Sequence, residues 1–152
     1  MFLSDFDSED IPVRPLRELY DYWCSKCAGR RMPVRADIRP AEIPHLLPHI
    51  SLIDVEEHPR RFRVRLVGTE TVRAMGEDVT GKYTDTLKNF APVHDRYLWL
   101  IDNKKPYFSR QKLEWSPKNF MDYYALGLPL SKNGEDVNII MFGMYYFLPE
   151  PV

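Results

Sequence analysis

Residues 50–81 read ISLIDVEEHPRRFRVRLVGTETVRAMGEDVTG, and the change of period inside this stretch decides the fold. Segments 50–55 and 62–68 are rich in β-branched and apolar residues, and Glu57-His58-Pro59-Arg60 joins them as a turn. Phe62, Val64 and Leu66 alternate with Arg63 and Arg65, the period of a strand with one wet face. After Gly68 the pattern becomes helical: residues 69–75 predict a short helix stopped by Gly76, followed by the turn Val79-Thr80-Gly81. Two adjacent strands that give way to helix point to an α+β domain.

Downstream, residues 92–103 predict the longest helix of the middle, closed by Pro106. Three strands follow at 107–115, 120–130 and 137–148. Ser116-Pro117-Lys118-Asn119 links the first pair, and Asn133-Gly134 marks a hairpin between the last two. Upstream, prolines at 33, 40, 44 and 48 leave room for a turn or two of helix around 40–47. Before them, Pro15 suits a helix start and Gly29 its stop. Leu16, Leu19, Tyr20, Trp23 and Cys27 fall on one face of that helix, and Arg17, Glu18, Asp21, Ser25 and Lys26 point away. Arg30-Arg31 puts positive charge at its exit. Residues 1–14 read as a loosely ordered lead-in, and 15–149 as one domain.

Composition agrees. A chain of 152 residues makes one domain and buries roughly 70% of its unfolded surface. Hydrophobic residues at 44% and charged residues at 28% exclude bulk disorder. A net charge of -1 argues against a protein that wraps nucleic acid or anionic lipid. Aromatics at 13% favour a sheet-rich core, and 13 prolines argue against long helices. Two cysteines cannot build a disulfide scaffold, and the acidic start is unlike a signal peptide. The most apolar stretch, 137–148, is shorter than the ~20 residues a spanning helix needs. The expectation is a soluble, cytoplasmic protein.

Chemistry-bearing patterns are sparse. Cys24-x-x-Cys27 with His45 and His49 has the residue types of a zinc site. Its proline-broken middle and the apolar-face position of Cys27 favour structural roles, so no metal is expected. A redox pair is weaker still, because the motif lacks a preceding strand. His94 on the 92–103 helix shares a face with Leu98 and Ile101, so a haem-ligating role is the alternative to a half-exposed histidine. Serines at 51, 109, 116 and 131 lack a nucleophile elbow, and no phosphate-binding glycine pattern exists. The basic run Arg60-Arg61-Phe62-Arg63-Val64-Arg65 reads as a solvated sheet face. Asp37 suits a cap for the short helix containing Pro40, and Arg35 a carboxylate pair.

A set of short segments resembles the PAS domain proteins of the bacterial PAS_5 type. They include residues 16–23, Pro33-x-Arg35-x-Asp37-Ile38-x-Pro40, Ile43-Pro44-x-Leu46-Leu47-Pro48-His49-Ile50 and residues 62–69. Gly76-x-Asp78-Val79-Thr80-Gly81 and Leu128-Pro129-Leu130-Ser131 complete the set, which spans 16–148. The resemblance implies a five-stranded antiparallel sheet of order 2-1-5-4-3 with helices on one face, and the apolar last strand in its centre. It also implies a sensory module with a cavity between sheet and helices, signalling through another protein. No cysteine of the flavin-photosensing kind is present, and no cofactor is called for. The expected lining is Leu66, Val93, His94, Tyr97, Ile101, Tyr123 and Met141, around a small apolar or aromatic ligand. The stripe Leu16, Leu19, Tyr20 and Trp23 is the expected interface of a homodimer, although a helix folded back over its own sheet would satisfy the stripe equally well. The rival reading is a small isomerase or thioester hydrolase, which would need a titratable group inside the cavity.

Overall fold

In the computed structural model, which describes residues 1–150, the sheet is set by alternation. Among the described residues it has six strands: β1 (Phe2–Leu3), β2 (Ile50–Glu56), β3 (Arg61–Leu66), β4 (Tyr107–Lys112), β5 (Asp122–Leu130) and β6 (Ile139–Phe147). They run in the order β1-β4-β5-β6-β2-β3, every neighbour antiparallel. The apolar β6 lies between β5 and β2. The sixth strand, β1, adds to the five expected. Residues 1–14, read as a loose lead-in, thus hold a strand on the β4 edge and the fully buried Ile11.

Three helices pack on the sheet: α1 (Arg14–Cys27), α2 (Thr69–Met75) and α3 (Ala91–Asn103). Helices α2 and α3 lie on one face, and the N-terminal α1 covers the other. Gly143 on β6 has the Leu16 and Leu19 side chains directly above it, so close that a Cβ there would lie 2.8 Å from each. Gly127 on β5, whose partner across the ladder is Phe142, has Leu100 of α3 and Tyr107 above it. Phe142 and Gly143 are successive residues and point to opposite faces. The α1 stripe is therefore spent on the chain's own sheet. Leu16 is 0% exposed and Trp23 5%, and the Trp23 indole N–H donates to Pro129 O at 3.0 Å. Leu16, Leu19 and Trp23 of the expected interface are thus covered by the chain's own sheet, while Tyr20 is half-buried against Phe6.

Local chemistry explains the α1 ends. Pro15 sits in the first turn, and Ala28 and Gly29 close the helix with φ of 50° and 81°. Arg30 donates to the terminal carbonyls of Lys26 and Cys27. The proline-rich segment folds as 3-10 turns, Pro40–Glu42 and Pro44–His49. These are pinned to the outer face of α1 by Tyr22–Glu42, Lys26–Glu42 and Glu18–His45 contacts. Asp37 does not cap the Pro40 turn. It accepts from Val34 N and Arg30, which hold its carboxyl below the usual range, and Arg35 donates to Ile38 O instead of a carboxylate. The Asn133-Gly134 connection spans 131–138 and is wider than a two-residue hairpin. Asn133 Oδ1 accepts from the amides of Glu135 and Asp136, and Gly134 has φ of 82°.

Candidate ligand cavity

Between the sheet and the α2–α3 side lies a cavity of about 60 Å³. The sheet supplies Ser51, Ile53 and Val64 from β2 and β3, with Tyr107, Tyr123, Ala125, Phe142 and Met144 from β4–β6. Thr71 and Met75 come from α2, and Val93, Arg96 and Tyr97 from α3. The strap joining those helices closes the top with Val79, Thr84, Leu87 and Phe90, and Trp115 follows from the β4–β5 connection. Helical spacing explains the α3 contribution, because Val93, Arg96, Tyr97 and Leu100 share one face. The strap is held to β3: Arg61 makes a two-pronged pair with Asp85 at 2.7 and 2.8 Å and lies over the Tyr83 ring. Ser116 Oγ donates to Ala74 O and ties the β4–β5 connection to the end of α2.

Three of the expected lining residues, Val93, Tyr97 and Tyr123, are there. Leu66 is not. The pairing of β2 with β3 shifts register between Leu52 and Ile53, so Val64 pairs with Ile53 and Leu66 with Leu52. Crossing that bulge turns Leu66 to the α1 side, where it is 45% exposed. Met141 is buried on the α1 side too, paired with Leu52 and Leu128. Ile101 is buried beside the cavity without lining it. His94 stays outside because its Nε2 is hydrogen-bonded to Thr84 Oγ1 at 2.7 Å, and its ring stacks on Phe62. Burial lowers its pKa, which keeps it neutral near pH 7. Tyr107 and Trp115, aromatics of the late strands that read mostly as core with some able to line a pocket, are in the lining, and Arg96, Phe142 and Met144 join them without having been expected. Arg96 was detectable, since it lies one turn beyond Val93.

The cavity's chemistry is apolar and aromatic. Tyr97 touches Phe62, Phe90 and Phe142, and Tyr123 stacks near Tyr146 and Trp115. Burial pushes the Tyr97, Tyr107 and Tyr146 phenols well above their ordinary value, so they remain protonated. Tyr146 is hydrogen-bonded to Thr71 at 2.8 Å. Arg96 Nη2 donates to the Tyr123 hydroxyl at 3.1 Å. No Asp, Glu or His lines the cavity.

The cysteine and histidine set is spread over separate contacts. Cys27 Sγ donates to Trp23 O, His45 Nε2 bonds Glu18, and His49 Nδ1 donates to Met144 O at 3.1 Å. Burial pushes the Cys27 thiol up to about 11, and raises that of Cys24. Among the described residues no three His, Cys, Asp or Glu side chains are grouped as metal ligands, and no helix is long and apolar enough to cross a membrane.

A family model described as PAS domain matches residues 11–98, more than half of the chain. The chain belongs to the PAS domain family. The match covers α1, the 3-10 turns, β2, β3, α2 and most of α3, a narrower span than the 16–148 of the resemblance. A second likeness of this PAS domain lies in the fold. A crystal structure of a sensory box sensor histidine kinase from Vibrio cholerae is similar over 72% of this chain and 92% of that one. The TM-score is 0.50 and the identity 15%. No protein of curated function matches the sequence.

Proposed function

We propose that this PAS domain is a sensory module that holds a small, largely apolar or aromatic molecule between its sheet and the α2–α3 side. Occupancy is passed on by contact with another protein. The observation that carries this reading is the cavity lining, which is almost wholly aliphatic and aromatic and is closed by a strap tied to β3. Pockets that bind small molecules are built in this way, with few polar handles. A ligand that pulls on the strap changes the Arg61–Asp85 pair, which lies at the surface within reach of a partner. An isomerase or hydrolase reading has less support, because general acid–base work needs a titratable carboxylate or imidazole facing the substrate. Native mass spectrometry of freshly purified protein, followed by thermal-shift screening, tests the proposal. A co-purifying small molecule, or a raised Tm with apolar and aromatic compounds, supports it. Stabilisation by phosphorylated compounds alone, or by none, overturns it.

A further inference from the structure

The cavity contains one feature that an apolar ligand leaves unexplained. Among the described residues Arg96 is its only charged lining residue. A guanidinium is permanently charged and carries five N–H donors. Here Nη2 donates to Tyr123, while Nε is buried with no partner. Among the described residues none of the ion pairs includes Arg96. The indole N–H of Trp115 is likewise buried without an acceptor, on a side chain 8% exposed. Buried polar groups are ordinarily satisfied, and buried charges ordinarily paired. Two buried donors of one lining are left without an acceptor, although Tyr123 and other hydroxyls share that lining, and they call for one from outside the chain.

Their position says which end of a ligand they meet. Val93, Arg96, Trp115 and Tyr123 border the apolar cavity and also a polar pocket of about 90 Å³ that includes Asn89, Gln111, Lys112 and Glu114. Arg96 and Trp115 stand at the division between the two. We propose that this PAS domain binds a small monocarboxylic acid, its carboxylate on Arg96 and the Trp115 N–H and its hydrocarbon or aromatic body in the cavity. The proposal rests on the ligand-cavity reading and adds the head group to it. The flat fork of arginine matches a carboxylate in two parallel hydrogen bonds. The adjoining pocket adds one cation, Lys112, and one carboxylate, Glu114, so with Arg96 the surroundings balance a single negative charge rather than a phosphate dianion.

Titration calorimetry with propionate, butyrate and isobutyrate, sized to a cavity of about 60 Å³ and each set against its primary amide, tests this. Wild type should bind each acid about tenfold or more tightly than the amide, as charge-assisted hydrogen bonds require. Arg96→Met should erase the preference while still binding the amides, and Trp115→Phe should narrow it. In wild type the Arg96 Nε–H and Trp115 indole N–H NMR signals should move further downfield with acid than with amide, a readout independent of how well the variants fold. Equal affinity for acid and amide would overturn the head-group assignment and leave the cavity reading intact. Binding of neither class would overturn both.

Discussion

Gly68 shows how one residue can fix the junction between sheet and helix. A Cβ there would lie 2.5 Å from Pro48 O and 2.6 Å from Ile50 O, and neither backbone atom can swing aside. The Gly68 N–H is bonded to the buried Ser51 hydroxyl at 3.3 Å, and Gly68 O accepts from Thr71 and Val72 to start α2. Gly68→Ala should therefore cost about 2–3 kcal/mol by overpacking, read as a lower urea midpoint with an unchanged m-value. At the same scale the sequence was legible where a side chain's role is local. Arg30 at the α1 exit binds the last carbonyls, as its charge and position suggest. It was not legible where the role depends on a distant neighbour. Nothing near Arg31 in the sequence shows that its guanidinium would donate to Asn103 O, 72 residues further along the chain.

Helix α1 illustrates the scale of elements. Its amphipathic stripe was readable from spacing alone, but spacing does not say what covers it. The close approach permitted by Gly143, and the Trp23–Pro129 hydrogen bond, settle the matter in favour of the chain's own β5 and β6. Trp23→Asp would leave a charge and a void under the helix. It should destabilise the fold by about 3–5 kcal/mol. Circular dichroism melts should then show a lost or strongly lowered transition, where an interface residue would have given a folded monomer of unchanged Tm. The register shift in β3 makes the same point for strands. The alternation of Phe62, Val64 and Leu66 is regular in sequence, yet one bulge at the Leu52/Ile53 step moves Leu66 out of the cavity.

For the whole molecule, stability should follow the sheet order. The β5 and β6 strands pair on both sides along most of their length, whereas β1 contributes two residues at an edge. Hydrogen exchange should find the slowest amides in β5 and β6, and the fastest in β1 and the 131–138 connection. Fast exchange in β6 would contradict the central place of that strand. By itself the sequence determined the α+β class, the position of nearly every helix and strand, and the helical break after β3. These follow from local periodicity, proline and glycine, which act over a few residues. It also determined the apolar character of the cavity, through the aromatic content of α3 and the late strands. Only the tertiary structure decided that helices cover both faces, that Leu66 and Met141 look away from the cavity, and that Arg96 and Trp115 share its wall. Those outcomes depend on register and on contacts between segments far apart in the chain, and no local pattern encodes which distant atom will occupy the space beside a given side chain.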